Sequence, residues 1–414
     1  MKKIYVETLT CDRRGLDANK TITYLSKNNY NIIKKPKDAD IIIFFACAAL
    51  NSITKKSLER IKKLQRYRAE LIIAGCLPEI EKQRLAEIFH GRIISTKDIE
   101  KIDTLFPDVK IKFNTIDDAN IVFKNINEKT IMGIIRNIIG TIKPIEKIYH
   151  DLKRNILQFI FGNNAILYKY LQDSSLYHVR ISTGCLGKCS YCAIKKGIGS
   201  CVSKPLNECV KEFKNGLEKG YKKFIIDGDD IGAYGLDIDS NLPELLDNIT
   251  KIEGDFKILV SNLHPKWVVE YISELEIILK RKKIENIQCS IQSGSSRILT
   301  LMNRYSDIEK IKHALDRLKD SNPNISLITD YILGFPTESE EDFQQTIEYI
   351  KSIKFDGGMI IPFSLNKGTE AEKIIPKVNQ ETIKKRFKVA KKYLKVSEYH
   401  VLYLPRFKSI IFFK

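Results

Sequence analysis

The sequence predicts an α/β protein in two parts. Residues 1–100 read as a small parallel α/β domain, doubly wound in the Rossmann or flavodoxin-like manner. Residues 177–395 read as a partial (β/α)6 barrel of the TIM type. Three observations carry this. Strand-like and helix-like segments alternate through both regions, as a parallel sheet covered by helices requires. The 414 residues exceed one ordinary domain, and 43% hydrophobic residues supply packed cores rather than disorder. Finally, Ile41-Ile42-Ile43-Phe44-Phe45 is a continuous apolar run of strand length, which reads as a buried strand.

Taken in order, residues 3–8 are strand-like and 17–28 helical, followed by a strand at 40–46. Residues 52–68 are helical because Ile53, Leu58, Ile61 and Leu64 fall on one face. A strand at 70–75, a helix at 79–89 and a short strand at 91–95 complete the first region. Residues 101–176 read as a basic, apolar linker or insertion; the dense isoleucines between Ile131 and Leu171 predict one or two amphipathic helices packing on the barrel. The second series has strands at 178–183, 223–227, 257–261, 286–292, 326–333 and 358–363. Helices at 206–219, 242–250, 268–279, 307–320 and 340–353 separate them. Residues 396–414 read as a short basic tail whose end, 409–414, is one last strand.

Lys and Arg number 69 against 51 Asp and Glu, a net charge of +18. Such a surface suits a polyanionic partner such as RNA, although the Lys- and Ile-rich composition also fits a compositional bias of the source. The start, Met1-Lys2-Lys3-Ile4-Tyr5, lacks the apolar core of a signal peptide. No run of 18 apolar residues is present, so no membrane span is expected. A monomer in the reducing cytoplasm follows, where clustered cysteines bind metal more often than they form disulfides.

Nine cysteines are present. Cys11, Cys47 and Cys76 each follow a predicted strand. In a parallel sheet the carboxyl ends of the strands share one edge, so the three converge there; the other reading is three buried free thiols. Gly184-Cys185-Leu186-Gly187-Lys188-Cys189-Ser190-Tyr191-Cys192 is a C-x3-C-x2-C loop just after the first barrel strand. Zinc sites normally take four protein ligands, and no fourth lies nearby. Three thiolates on a cubane leave one iron open to a cofactor or substrate.

This loop resembles that of the radical S-adenosylmethionine (SAM) enzymes. The resemblance implies a [4Fe-4S] cluster on Cys185, Cys189 and Cys192 whose fourth iron binds SAM and cleaves it to a radical. It also places Tyr191 near the adenine. Residues 39–50, 71–77, 179–194, 228–237 and 330–336 narrow the likeness to the radical SAM methylthiotransferases, which modify adenosines in tRNA or an aspartate of a ribosomal protein. The resemblance then implies a second [4Fe-4S] cluster on Cys11, Cys47 and Cys76 that carries the sulfur to be delivered. It also implies an electron donor such as flavodoxin or ferredoxin. Gly228 to Asp237, Asn241-Leu242-Pro243 and residues 71–78 are closest to the enzymes of threonylcarbamoyladenosine in tRNA.

Gln292, Ser293 and Asp330 end predicted barrel strands and are candidates to line the SAM pocket, or else serve turns and helix caps. Arg304 lies in the shared pattern. Gly334 fits a close backbone approach to a ligand. Asp229 and Asp230 position SAM or substrate, or sit in a solvated loop. Two departures stand out. Cys47 follows Phe45-Ala46 where the family has Asn-Thr, and Asn366-Lys367-Gly368-Thr369 lacks the family's Arg-Pro. The tRNA enzymes usually end in an RNA-binding β-barrel, which the residues after the last helix are too few to build. A peptide or protein acceptor therefore stands beside tRNA as an expectation.

Overall fold

A computed structural model describes residues 1–123, 176–353, 355–404 and 408–414. The helices expected between Ile131 and Leu171 lie outside the described residues.

The first sheet is fully parallel, in the order β2-β1-β3-β4-β5. Its strands are β1 (Lys3–Leu9), β2 (Asn31–Ile32), β3 (Ile41–Ala46), β4 (Glu70–Gly75) and β5 (Arg92–Ser95). Side chains alternate across a strand, and β3 shows why it had to be central. Ile41, Ile43 and Phe45 pack into one core layer, while Ile42, Phe44 and Ala46 pack into the other. The helices Asp12–Lys27 and Asn51–Leu64 connect these strands.

The second sheet has eight strands, in the order β14-β15-β13-β12-β11-β10-β9-β6. Six are the parallel barrel strands: β6 (Tyr177–Arg180), β9 (Lys223–Asp227), β10 (Lys257–Leu263), β11 (Ile284–Cys289), β12 (Ser326–Leu333) and β13 (Gly357–Pro362). The pair β7 (Ser182–Thr183) and β8 (Val202–Ser203) forms a separate small ribbon that brackets the cysteine loop. This is the expected α/β architecture, a small parallel domain followed by a partial (β/α)6 barrel.

Several boundaries differ for identifiable reasons. The strand expected at 286–292 stops at Cys289, because Gln292 has φ +79° and leaves the sheet except for one bridge to Tyr331. The helix expected at 268–279 is two, Pro265–Glu270 and Ile272–Leu279. They break at Tyr271, whose ring stacks on Trp267 and whose hydroxyl donates to the Gly232 carbonyl. The helix expected at 79–89 likewise divides into Leu77–Ile80 and Lys82–Ala86.

The segment read as a basic tail with one last strand is a hairpin of two, β14 (His400–Leu404) and β15 (Ser409–Phe413). β15 pairs antiparallel with β13, and β14 covers β15 in turn. Ser409 to Phe413 are buried throughout. Their apolarity is explained by a sheet edge that would otherwise present unpaired backbone.

Candidate active site between two cysteine triads

The strand register brings the first triad together. Leu9 pairs with Ala46, and Ala46 with Gly75, across three adjacent parallel strands. Cys47 and Cys76 directly follow those partners and Cys11 comes two residues after Leu9, so all three leave one edge of the sheet. Neighbouring strands are about 5 Å apart. The Cys47 thiol accepts from the Ala49 backbone at 3.4 Å, and Cys76 Sγ lies 3.6 Å from the Thr96 hydroxyl. Burial pushes the Cys76 thiol up to about 11, with the charge of Arg14 acting the other way.

The second triad lies at the barrel mouth. Cys185 donates to Asp230 at 3.5 Å and accepts from the Gly187 backbone at 3.2 Å. Burial, then Asp230, raises its pKa well above the ordinary thiol value. Arg304 Nη1 reaches Cys189 Sγ at 3.6 Å and the Tyr191 hydroxyl at 3.5 Å, and Nη2 donates to the Ser290 carbonyl. The Ser290 hydroxyl in turn donates to Asp330 at 2.6 Å, as Gln288 does at 2.8 Å. A continuous polar path thus runs from the cysteine loop over the ends of β11 and β12. Among the described residues no His, Cys, Asp or Glu side chains gather as a single-ion site. A four-iron cluster takes each thiolate on a different iron, so its ligands stand wider apart than those of one ion.

Other sequence candidates are placed differently. Ser293 is 1% exposed, and its hydroxyl meets Thr346 at 3.2 Å and accepts from the Ser295 backbone. That supports the turn ahead of the helix Ser296–Leu301, whose N-cap is Ser295. Gly334 has φ +83°, and a β-carbon there would stand 2.4 Å from Ile383 of the helix Gln380–Val396. The close approach comes from the protein itself rather than from a ligand. Tyr191 sets its ring edge-on to Phe335 at 6.5 Å. Asp230 is 7% exposed and accepts from the Trp267 indole at 3.1 Å.

Asp229 is no solvated loop residue. It accepts from Arg13 Nε at 2.9 Å, from Arg14 Nη2 at 3.3 Å and from the Gly184 backbone at 3.1 Å. It therefore ties the residue before Cys185 to the helix that begins after Cys11. A second clamp joins the domains deeper in. Arg180, at the end of β6, binds Asp17, and Asp118 collects Arg180 at 3.1 Å, Lys204 at 2.9 Å and Lys20 at 3.1 Å. Asn366, in the segment that departs from the family pattern, is buried with its amide 3.4 Å from the Ala49 carbonyl and 3.5 Å from that of Tyr191. It braces the Cys47 loop and the Cys192 loop together.

Sequence reasoning missed Arg13, Arg14, Gly197 and Asn366. One signal was readable. Two arginines in the first turn of a helix oppose its dipole, and here the acidic strand end Asp227 to Asp229 compensates them. Gly197 and Asn366 carry no such signal, because their partners are distant in sequence.

Comparison with known proteins places this arrangement. Residues 179–350 match the radical SAM superfamily, and residues 3–95 match the uncharacterized protein family UPF0004. A tRNA-2-methylthio-N(6)-dimethylallyladenosine synthase of Clostridium botulinum (strain Hall) is 30% identical over 399 residues, covering 93% of this chain and 80% of that protein. The chain belongs to the radical SAM methylthiotransferase family. A probable threonylcarbamoyladenosine tRNA methylthiotransferase of Pyrococcus horikoshii is 28% identical, with 90% of this chain and 79% of the relative covered. The ribosomal protein uS12 methylthiotransferase RimO of Clostridioides difficile is also 28% identical, over 92% of this chain and 79% of its own. In fold, the methylthiotransferase is similar to the radical SAM methyltransferase TsrM of Kitasatospora setae. The TM-score is 0.57 at 10% identity, covering 87% of this chain and 73% of that one. As a radical SAM methylthiotransferase the enzyme uses SAM and [4Fe-4S] clusters. Among the described residues no helix is long and apolar enough to cross a membrane.

Proposed function

We propose that this methylthiotransferase acts on N6-threonylcarbamoyladenosine in tRNA, with the two cysteine triads holding two four-iron clusters that serve one transfer. The observation that carries the acceptor is the charge around the mouth. Lys188 and Lys196 beside the cysteine loop, and Lys367 on the adjoining brace that Lys196 bonds through the Gly368 carbonyl, are exposed. With a net charge of +18, a rim of exposed lysines engages phosphates. The name of the Pyrococcus relative supports the same acceptor. The Gly228 to Asp237 motif contributes less than its resemblance implied. Asp229 clips the domains, Gly232 packs on Trp267, Tyr234 is buried and Asp237 accepts from the Ser203 backbone, so the motif mostly builds the mouth.

In this reading Cys185, Cys189 and Cys192 hold the cluster that binds SAM, and Cys11, Cys47 and Cys76 hold the second. When bound, the set supplies one-electron cleavage of SAM and a sulfur for delivery to carbon. The residues present fit such guests. Gln292 Oε1 and Arg304 Nε are buried without a hydrogen-bond partner among the described residues, as suits groups kept for a polar cofactor. Arg304 steadies Cys189 and Tyr191, Asp230 orients Cys185, and Asp330 fixes Ser290. The clip at Asp229 holds the two cysteine loops at one mouth, which keeps the acceptor carbon within reach of both.

A protein side chain is the second acceptor, favoured by the equal identity to RimO. Nucleoside mass spectrometry of tRNA, incubated anaerobically with the loaded enzyme, SAM and dithionite, decides. Methylthio-threonylcarbamoyladenosine is the expected product. Unchanged tRNA together with a methylthio-modified ribosomal protein would reverse the assignment.

A further inference from the structure

Asp229 accounts for only one nitrogen of Arg14. The arginine lies in the first turn of the helix Asp12–Lys27, where the dipole disfavours a cation. It is 1% exposed. Nη2 donates to Asp229, and Nε lies 3.1 Å from Asp17 Oδ2 but off the hydrogen-bonding axis. Nη1 is buried and has no acceptor among the described residues. A buried guanidinium with an unsatisfied N–H is costly. Asp229 and Asp17 anchor two of its three nitrogens, which fixes where the third points.

The surroundings identify the missing acceptor. The helix starts from Cys11, whose carbonyl receives the Gly15 N–H at 3.0 Å. Cys11 is the N-cap of that helix, and Arg14 follows it in the first turn. Arg14 is thus held between the start of the Cys11 helix and Asp229 of the barrel, with a spare donor.

We propose that Arg14 Nη1 donates a hydrogen bond to a sulfur of the four-iron cluster held by Cys11, Cys47 and Cys76, and so raises that cluster's reduction potential. This rests on the reading that those three cysteines hold a cluster. The physical basis is general: hydrogen bonds to the sulfurs and nearby positive charge make a cluster easier to reduce. The same residue, through Asp229, touches the backbone just before Cys185. The donor that tunes one cluster is thus anchored on the loop that holds the other.

The test uses the full chain with Cys185, Cys189 and Cys192 changed to Ala, so that only the second cluster is loaded. Dithionite adds one electron to that cluster, with no bond made or broken, and electron paramagnetic resonance follows the titration. The parent variant retains about four irons; one that binds no iron overturns the cluster reading itself. Arg14→Met is expected to retain its iron and to shift the reduction equilibrium at least tenfold toward the oxidised form, ~59 mV for a one-electron couple. Arg14→Lys recovers part of that shift. Iron retained with an unshifted potential overturns the role of Arg14 and leaves the cluster reading standing. A spectroscopic measurement covers the case in which Arg14→Met does not fold. With nitrogen-15 arginine in the parent, the reduced cluster shows a nitrogen-15 coupling that Arg14→Lys abolishes. Its absence from the parent, or its persistence in Arg14→Lys, overturns the proposal.

Discussion

Gly197 sits so close to Cys76 that a β-carbon at position 197 would stand 3.2 Å from the cysteine's Cα and Cβ. The helix Ile194–Ile198, which follows the barrel triad, thus rests directly on the third cysteine of the first domain. Gly197→Val wedges the two loops apart. Both triads should still load iron and SAM should still be cleaved, while methylthio product falls on the order of tenfold or more, because small misplacements of reacting groups are costly. Parallel assays of 5′-deoxyadenosine and modified nucleoside check this; an equal fall in both would mean the contact does not set the spacing.

Cys185→Ala and Cys47→Ala should divide the reaction. The first abolishes SAM cleavage, since the open iron that takes SAM is lost with its cluster. The second spares cleavage and abolishes sulfur transfer. Identical phenotypes in the two assays would remove the division of labour between the triads.

Asp17 and Arg180 form a buried pair across the domain interface, 4% and 7% exposed. Asp17→Asn leaves the Arg180 guanidinium to Asp118 and should cost about 1–3 kcal/mol. Replacing both partners by apolar residues of similar size should restore much of the loss. Thermal melts of the single and double variants provide the comparison, and a single variant as stable as the parent would contradict it.

Asp118 predicts an acid response. Burial alone would raise its pKa, but Arg180, Lys204 and Lys20 outweigh burial and hold the carboxyl far below its ordinary 3.8. A depressed folded-state value means stabilisation that is present above pH ~3.8 and lost as pH falls toward the folded value. Melting temperature should drop steeply in the acid range for the parent. Asp118→Asn should melt lower at neutral pH and show a shallower acid slope. Parallel slopes in the two proteins would refute the role of Asp118.

Much of this was legible in the residues. The apolar run of β3 announced a strand buried on both faces, and the C-x3-C-x2-C spacing announced a cysteine loop at the barrel mouth. The convergence of Cys11, Cys47 and Cys76 followed from strand ends alone, and the register from Leu9 through Ala46 to Gly75 bears that placement out. What escaped depends on partners far apart in sequence. Nothing near Gly197 names Cys76, and nothing near Asn366 names Ala49 or Tyr191. Ser293 and Gly334 could not be decided from the sequence for the converse reason. A strand-end position suits a ligand or a neighbouring helix equally well, and here Thr346 and Ile383 had already taken the place.

The pairing of β15 with β13 has a consequence for how the protein is made. A ribosome completes β1 through β5, and with them Cys11, Cys47 and Cys76, long before it reaches Ser409 to Phe413. Until those last residues emerge, the outer edge of β13 has no partner and the barrel is open to intermolecular pairing. The sheet edge that gathers the first triad is therefore complete on the nascent chain while the barrel still needs protection. Chain order alone completes the two cysteine triads one after the other.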